Sequence, residues 1–299
     1  MVDRIFQLPR LVIVFGIFGA QCNAIIGSFG SVLKADRWFC ADQCAGSPSR
    51  AGISLPMPGS EAIAHCVLFS DLAQCQAGQR IEIDGDEAHH AVRVKRVRPG
   101  ERLLLLDGAG HHATGVLESV GGSRSKPVLV LDLGPVESDG AIEPMVEIWA
   151  ALPKGDRLDR MIDQLTQLGV SRYRPLLCDR SQRKPDSLRP EKLARIADEA
   201  MKQCRRPWRL EIGEPIAFLD ALGDPDAMIA DATGGPWDAG SACGARTVLL
   251  VGPEGGWSNT ERGLFVEAGV PVHCFGRFVL RIEVAAAAAA AIVMGVSSS

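Results

Sequence analysis

The sequence of 299 residues lacks a long hydrophobic run and a dominant low-complexity tract. The apolar run near its start, from Leu11 to Phe18, is much shorter than the roughly 20 residues that a membrane-spanning helix needs. Because 46% of the residues are hydrophobic and 23% are charged, wholesale disorder is excluded as well. We therefore expect a globular protein without a membrane span, long enough for one large domain or two ordinary ones.

Metal-binding and dithiol patterns are also missing. The nine cysteines form no Cys-x-x-Cys pair and no Cys/His spacing suited to zinc, and Cys40 and Cys44 form a lone Cys-x3-Cys. The adjacent histidines His89-His90 and His111-His112 chelate poorly, because neighbouring side chains diverge on a helix or strand. We expect reduced, partly buried thiols and no metal site.

The total charge of −4 does not suggest a nucleic-acid-binding protein. Between Arg172 and Arg209, however, twelve lysines and arginines face only five acids, so this segment carries +7 and the rest of the chain −11. Such asymmetry indicates a surface that faces a polyanion.

Residues 1 to 60 differ from the rest, with an apolar stretch followed by a Ser/Gly/Pro-rich passage. Arg4 and Arg10 before the apolar stretch are typical of a signal peptide, but no clear Ala-x-Ala cleavage site follows. The alternative is an N-terminal extension of the reading frame, with Met57 as the actual start. We favour the extension, because the downstream sequence is typical of a cytosolic protein.

Short strands separated by Gly-rich turns are predicted between residues 64 and 133, in AHCVLF, RIEID, LLLLDG, ATGVLESV and KPVLVLDL. Ile81 and Ile83 alternate with charged residues, as in a strand with one buried face. One short helix is predicted around DEAHHAVRV, with Asp84 or Asp86 at its N-cap. The pattern indicates a small β-barrel or sandwich.

A linker is predicted from about Leu133 to Pro144, and beyond it strands and helices alternate, which favours a parallel sheet with crossover helices. The strand VEIWAAL comes first. A helix from Asp156 to Gly169 has one apolar face, and a second helix with Pro190 in its first turn does too. On this second helix the predicted solvent-facing residues are Lys192, Arg195, Glu199 and Lys202.

Two loops follow predicted strands in the C-terminal half. LLVGPEGGW places three glycines after a buried strand and before a helix that the capping box Ser258 to Glu261 opens. Alone it indicates a tight turn more often than a site. FGRFVLRIE follows the strand VPVHCF, and the final helix contains seven alanines, 285 to 291, expected to pack against another helix or a second subunit. Loops at neighbouring strand ends would form a pocket.

The C-terminal part resembles the signature of the RsmE family, the 16S ribosomal RNA uridine N3-methyltransferases of the SPOUT superfamily, in the segments GPEGGWSNTE and FGRFVLRIEVAAAAAAA. Upstream, that family's PUA-like domain is similar to DGDEAHHAVRVKRVRPGERLLLLDG. Its first strand-helix-strand unit is similar to KGDRLDRMIDQLTQLGVSRYRPLLCDRS, and the end of its Gln-x-Arg-Arg helix to RIADEAMKQCRRPWRLEI. These motifs cover about residues 62 to 297.

The resemblance implies an α/β protein, with a PUA-like RNA-binding β-barrel at residues 62–134 and a SPOUT α/β domain with a trefoil knot at residues 140–297. It implies a cytoplasmic homodimer that binds S-adenosylmethionine in the knot and acts on 16S ribosomal RNA or the small ribosomal subunit. One wall of the cofactor site would be formed by Gly252, Pro253, Glu254, Gly255 and Gly256. The other wall would be formed by Phe275, Gly276, Val279 and Leu280.

Methyl transfer to N3 of uracil requires help with the N3 proton, or stabilisation of the anion that spreads onto O2 and O4. Arg281 is our candidate for the stabilising group, because a guanidinium presents several donors in a fixed fork. Glu283 is a candidate base, although an arginine partner would keep it ionised, and we favour a structural role for it.

Two basic groups are the candidates for RNA binding. The first is the end of the second helix, with Trp208 as a stacking surface among Lys202, Arg205, Arg206 and Arg209. The second lies in the predicted barrel and comprises Arg93, Lys95 and Arg96. A solvated helix end, whose cations complement the helix dipole, would explain only part of the first group.

The chain departs from the family pattern at Gln164, Gln167 and Val284, and it lacks the family's arginine at the start of the barrel. These departures leave two alternatives open. One is a catalytically silent RNA-binding protein, and the other is a related knotted methyltransferase that acts on another RNA.

Overall fold

The computed structural model describes residues 63–183, 185–237 and 244–297. The predictions for residues 1 to 60, with the start at Met57 and the pair Cys40 and Cys44, lie outside the described residues.

The N-terminal domain, residues 63–138, is built on a five-stranded sheet. Its strands are β1 (Ile63–Leu68), β2 (Arg80–Ile83), β3 (Arg102–Leu106), β4 (His111–Ser123) and β5 (Lys126–Ser138). Their order is β1-β3-β4-β5-β2, with β1 parallel to β3 and the other pairs antiparallel. Ile81 and Ile83 are buried between exposed charges, so the predicted alternation is confirmed.

A short helix, α1 (Gly85–His90), interrupts this sheet where it was predicted. Asp84 occupies its N-cap position. The helix continues as a wider π-type turn over Ala91–Lys95 and ends at Arg96, which adopts a left-handed conformation with φ 58°. The basic residues of this turn point into solvent, while Ala88 and Ala91 pack into the core.

Strand β5 is longer than the sequence indicated. The predicted linker began at Leu133, but the strand continues to Ser138 because its residues remain paired with β4 through His111↔Ser138 and Ala113↔Val136. Residues 139–144 form the actual connection.

The C-terminal domain, residues 145–297, has a seven-stranded parallel sheet. Its strands are β6 (Met145–Ala150), β7 (Arg172–Leu177), β8 (Glu211–Ile212), β9 (Ile216–Ala217), β10 (Ala227–Pro236), β11 (Arg246–Val251) and β12 (Val272–Cys274). The order is β12-β10-β11-β6-β7-β8, with β9 also paired to β7. The predicted parallel sheet is thus confirmed, whereas the trefoil knot stays a prediction.

Five helices cover this sheet: α2 (Arg157–Gln167), α3 (Pro190–Cys204), α4 (Phe218–Ala221), α5 (Asn259–Glu267) and α6 (Ile282–Ser297). On α2, Leu158, Met161 and Ile162 are buried, as their spacing predicted. On α3, Leu193 and Ala197 are buried as well. None of the described helices is long and apolar enough to cross a membrane.

The alanine-rich helix α6 packs against α2 and β6. Ala286, Ala289 and Ala290 are fully buried there. Their small side chains permit a close approach, and Gly169 at the end of α2 meets the same helix. A Cβ on Gly169 would lie 2.9 Å from the methyl carbon of Met294. The expected helix partner is therefore within the chain.

The described cysteines are Cys66, Cys75, Cys178, Cys204 and Cys274, all half-buried and free. Burial raises the pKa of Cys66 to about 12 and that of Cys178 to about 12, which keeps both thiols protonated at neutral pH. This agrees with the expected reduced thiols. The described residues contain no cluster of three or more side chains that would hold a metal ion.

Candidate active site

The glycine loop, residues 252–257, leaves the end of β11 and leads into α5. Gly252 is required by packing, because a Cβ there would lie 2.8 Å from the Cε2 atom of Trp257. Gly256 has φ 67°, and its N–H donates to the Pro253 carbonyl over 2.8 Å. The predicted capping box is present, with the Glu261 N–H donating to Ser258 Oγ and the Ser258 N–H to Glu261 Oε2.

A second loop, residues 275–281, connects β12 to α6. Phe275 is buried against the core, and the Gly276 backbone approaches Leu280 so closely that a Cβ would lie 3.0 Å from its Cδ1 atom. Phe278 and Val279 point outward, with exposures of 75% and 91%. Two apolar side chains on one short loop are therefore left without cover in a single chain.

Both loops line one cavity of about 350 Å³ at the carboxyl ends of β10, β11 and β12. The volume lies in the usual range for small-molecule sites, about 300–1,000 Å³. All nine residues predicted to contact a cofactor are among its lining residues, namely Gly252, Pro253, Glu254, Gly255, Gly256, Phe275, Gly276, Val279 and Leu280. The structure thus brings the two predicted walls together.

A third wall was not predicted from the sequence. Residues 230–233 of β10 and Arg262 of α5 also line the cavity. Arg262 donates from Nη1 to Asp231 Oδ1 over 3.1 Å and from Nη2 to Oδ2 over 2.9 Å. Thr233 donates to Asp231 Oδ1 from its N–H (2.9 Å) and its hydroxyl (2.6 Å). Partial burial tends to raise the pKa of Asp231, but these hydrogen bonds outweigh burial and lower it.

The feature that could have predicted this wall is the position of β10 beside β11 in the sheet. Ligands collect beyond the carboxyl ends of parallel strands, so the residues that follow AMIA (227–230) were as strong a signal as the two loops.

Two arginines that do not line the cavity bind the glycine loop. Arg180, in the loop after β7, donates from Nη1 to the carbonyl of Gly255 (3.0 Å) and to that of Trp257 (3.2 Å). Arg157, at the start of α2, forms an ion pair with Glu254. These contacts join three segments that are distant in sequence, so no local pattern indicated them.

Asp179 strengthens the same connection. Its carboxylate accepts a hydrogen bond from Ser258 Oγ over 2.6 Å, and its N–H donates to the buried carboxylate of Glu261 over 2.9 Å. Trp257 is 2% exposed and packs against Phe218, so this side chain is both core and cavity wall. The glycine loop is therefore held in one conformation from two sides.

The two candidate catalytic residues flank the cavity without lining it. Arg281 is exposed immediately before α6, between the lining residues Leu280 and Ile282. Glu283 is buried in the first turn of α6, and its Oε2 atom has no hydrogen-bond partner among the described residues. The arginine partner considered for Glu283 is thus not found in the described part of the chain.

The basic group at the end of α3 differs from its prediction. Lys202 is buried, and its Nζ binds Glu87 of α1 over 2.7 Å and Glu199 over 2.8 Å. Burial tends to lower the pKa of Lys202, but the bonds to both carboxylates outweigh it and raise that pKa. The prediction that Lys202 faces solvent or RNA was wrong, because this lysine joins the two domains.

Arg206 is also interior. It donates to the carbonyls of Thr166 (3.0 Å) and Val170 (2.8 Å), and burial lowers its pKa to about 10. The prediction that it contacts RNA was wrong, because its guanidinium is buried and binds these carbonyls at the C-terminal end of α2. Arg205 and Arg209 remain exposed, with Arg209 paired to Asp198 over 2.7 Å.

Trp208 is half-buried and contacts the N-terminal domain, and its stacking on RNA stays a prediction. Its indole N–H donates to the Gly140 carbonyl over 2.9 Å. Its ring lies against Gly110, where a Cβ would come within 2.3 Å of the ring. The side chain therefore joins the two domains.

The second predicted basic group is fully exposed. Arg93, Lys95 and Arg96 lie on the turn after α1. Arg93 and Arg96 line a shallow cleft of about 510 Å³ together with Arg124 at the tip of the β4–β5 hairpin. No acidic side chain is among the described residues that line this cleft. Arg124 was missed by the sequence analysis, because the hairpin brings it to the turn from a distance of about thirty positions.

Comparisons with known proteins agree with this architecture. Residues 142–294 match the family model of the RNA methyltransferase domain, and residues 83–126 match that of the RNA methyltransferase PUA domain. The ribosomal RNA small subunit methyltransferase E of Mycobacterium bovis is 32% identical over 69% of this chain and 83% of that protein. The protein of the same name from Bacillus subtilis is 28% identical over 71% and 88%.

Two solved structures share the fold. One is a ribosomal RNA small subunit methyltransferase E from Neisseria gonorrhoeae bound to S-adenosylmethionine, with a TM-score of 0.67, 24% identity and coverage of 77% of this chain and 97% of that one. The other is a methyltransferase from Legionella pneumophila in complex with the same cofactor, with a TM-score of 0.67, 24% identity and coverage of 78% and 97%.

Proposed function

Because this chain belongs to the ribosomal RNA small subunit methyltransferase E family, we propose that it methylates N3 of a uridine in 16S ribosomal RNA with S-adenosylmethionine as donor. The observation that carries the proposal is the cavity at the carboxyl ends of β10, β11 and β12, whose two loops contain all nine residues expected to contact the cofactor. The family acts on RNA inside the cell, and we propose a cytoplasmic location for this protein.

The residues present fit an adenosyl ligand. Gly252 and Gly276 line the cavity and have no side chain, so backbone carbonyl and amide groups form part of its walls there. Such groups suit a ring edge and ribose hydroxyls, which need hydrogen bonds from both donors and acceptors. When bound, S-adenosylmethionine supplies an electrophilic methyl group on its sulfonium.

For the reaction itself, we assign anion stabilisation to Arg281. Neutral uracil N3 carries a proton and is a poor nucleophile, and its conjugate base spreads negative charge onto O2 and O4. Arg281 is exposed at the rim of the cavity and forms no ion pair with a described residue, so its guanidinium is available for these oxygens. Glu283 is buried in the first turn of α6, and we assign Glu283 a structural role.

A homodimer is part of this proposal. Phe278 and Val279 of the second loop and Val284 and Ile292 of α6 are exposed apolar side chains beside the cavity or on the helix that follows it. These exposed apolar side chains support an interface at this face.

RNA would contact the N-terminal domain first. Arg93, Lys95 and Arg96 are exposed beside Arg124, and Arg205 at the end of α3 adds a further free guanidinium. Phosphate contacts from such cations position RNA without reading its sequence, and the target uridine would leave its stack to reach the cavity.

The test is transfer of labelled methyl from S-adenosylmethionine to small ribosomal subunits that lack the modification, followed by nucleoside mass spectrometry. A 3-methyluridine signal is expected. Binding of S-adenosylmethionine without any transfer would favour a catalytically silent RNA-binding protein. Transfer to another RNA alone would favour a related enzyme with a different target.

Matched glycine variants serve as controls in this assay. Gly252→Ala should abolish transfer, since its Cβ would meet Trp257 at 2.8 Å, whereas Gly263→Ala on α5 meets nothing within 4 Å and should retain it. Equal activity of the two variants would contradict the assignment of the cavity.

Arg281 has a separate test. Arg281→Ala should reduce turnover by about 100-fold or more, the usual loss for one donor to a developing oxyanion, with RNA affinity changed less than about twofold. Arg277→Ala removes a neighbouring exposed arginine of the same loop and should leave turnover nearly unchanged. Unchanged turnover in Arg281→Ala would remove Arg281 from the mechanism.

A further inference from the structure

The cavity contains an unequal distribution of charge. Its described lining includes three charged side chains, those of Asp231, Glu254 and Arg262. Glu254 is paired with Arg157, which lies outside the lining. The remaining two, Asp231 and Arg262, form a pair of opposite charges on the third wall, and the two glycine-containing loops contribute no cation to the lining.

This pair retains hydrogen-bonding capacity. Asp231 Oδ1 accepts from Thr233 twice and from Arg262, whereas Oδ2 accepts only from Arg262 among the described residues. Arg262 uses its two Nη atoms toward Asp231, and a guanidinium carries five N–H donors. Arg262 is 36% exposed and Asp231 10% exposed, so both can be reached from the cavity.

The proposed donor has two chemically different ends. The adenosyl end is neutral and suits backbone groups, while the other end is an α-amino acid whose ammonium and carboxylate lie on one carbon. The loops provide the first type of partner. Only the third wall offers a cation and an anion side by side within hydrogen-bonding distance of each other.

We propose that Asp231 and Arg262 are the specificity-determining pair for the amino-acid end of the cofactor, with Arg262 donating to the carboxylate and Asp231 Oδ2 accepting from the ammonium. The inference rests on the proposed function, since it presupposes an S-adenosyl ligand in this cavity. A competing explanation is that the pair only ties α5 to β10. That explanation predicts loss of every ligand alike when the pair is broken.

The experiment compares two ligands that differ only at this end. S-adenosylhomocysteine carries the amino acid, and 5′-methylthioadenosine lacks it. Isothermal titration on the full chain should show tighter binding of S-adenosylhomocysteine to the wild type. Arg262→Ala should weaken S-adenosylhomocysteine by about tenfold or more, the range for a lost hydrogen bond to a charged group, and 5′-methylthioadenosine by less than about twofold.

Asp231→Asn should give the same selective loss, because it removes the charge that faces the ammonium. Arg277→Ala, which removes an exposed arginine of the second loop outside the lining, is the matched control and should change neither affinity. Retained 5′-methylthioadenosine binding shows that a variant is folded. Arg262→Lys keeps the charge, so it should retain part of the affinity for S-adenosylhomocysteine that Arg262→Ala loses.

Equal loss of both ligands in Arg262→Lys and Asp231→Asn would overturn the inference and leave a purely structural pair. Unchanged binding of both ligands would overturn it too. If the wild type bound neither compound, the proposed function itself would fail, and with it this inference, so the two failures are distinguishable.

Discussion

The two basic regions of this molecule differ in how many cations they contain and in how many of those cations are free to bind a polyanion. The segment from Arg172 to Arg209 carries +7, yet most of its cations are already engaged. Arg172 binds Glu211, Lys192 binds Asp159 and Arg209 binds Asp198. The charge count of a sequence segment therefore overstates what the folded surface offers to a polyanion.

The turn after α1 has fewer cations, but they are available. Arg93, Arg96 and Arg124 line one cleft without an acidic neighbour among its described lining residues, and none of the three forms an ion pair with a described residue. Counterion release on RNA binding requires cations of this kind, because a guanidinium already neutralised by a carboxylate gains little from a phosphate. From this difference we expect the partners of the cations, more than net charge, to decide where RNA binds.

The largest expected effect on RNA affinity comes from removing the three arginines that line this cleft. Arg93→Ala/Arg96→Ala/Arg124→Ala should weaken binding to 16S ribosomal RNA by about 100-fold to 500-fold at 0.1 M salt, because about three phosphate contacts are lost. The slope of log affinity against log salt should become shallower by about two to three. Filter binding or fluorescence anisotropy over a salt series measures both quantities.

The matched control removes three paired cations, Lys192 and Arg209 of the other region and Arg160 of α2, as Arg160→Ala/Lys192→Ala/Arg209→Ala, and each of them faces a carboxylate. We expect less than a threefold change in RNA affinity. A larger loss in the control than in the cleft variant would reverse the comparison.

The second effect concerns stability. Lys202→Met should lower the free energy of unfolding by about 2 kcal/mol, less than for a fully buried pair because Glu87 and Glu199 are partly exposed. RNA affinity of the folded variant should stay within about threefold of the wild type. Urea unfolding measures the first quantity, with Arg195→Met on the exposed face of α3 as control. A variant with unchanged stability and weakened RNA binding would show that Lys202 contacts RNA.

A third variant examines Arg206. Arg206→Gln leaves one of the carbonyls of Thr166 and Val170 without its donor, which should cost about 1.5 kcal/mol of unfolding free energy. Thermal or urea unfolding checks the loss. If stability were unchanged while RNA binding fell, the interior assignment of this arginine would be wrong.

The smallest effect is expected for Arg209→Ala. The pair with Asp198 is half exposed, and such pairs contribute about 0.5 kcal/mol or less. Neither unfolding nor RNA binding should change by more than this amount. An RNA affinity loss above tenfold would show that Arg209 leaves Asp198 to bind a phosphate. Paired cations would then contribute to RNA binding as well.

Much of the site was predictable because the motifs that mark it are continuous in the sequence. Both loops follow predicted strands, which indicated a pocket, and the family resemblance assigned the nine cofactor-binding residues to them. All nine residues line the cavity. The third wall was missed, since Asp231 acquires its role only from Arg262, which lies thirty-one positions away on another element.

The basic helix was misjudged for a related physical reason. Periodicity placed Lys202 on the outer face of α3, and that placement is correct for an isolated helix. The N-terminal domain covers this part of the face, and Glu87 of α1 supplies the carboxylate that the buried ammonium needs. A contact between domains leaves no trace in the spacing of one helix.

The sequence by itself indicated the alternation of strands and helices, the parallel sheet and the positions of the two loops, because hydrophobic period, turn glycines and capping residues act within a few positions of the chain. The cofactor role of these loops was implied by the resemblance to the family. Only the tertiary structure decided which cations are free, which wall of the cavity is charged and how Arg180 and Arg157 hold the glycine loop. Those features depend on contacts between residues far apart in sequence, and burial and hydrogen bonding exist only once the chain has folded.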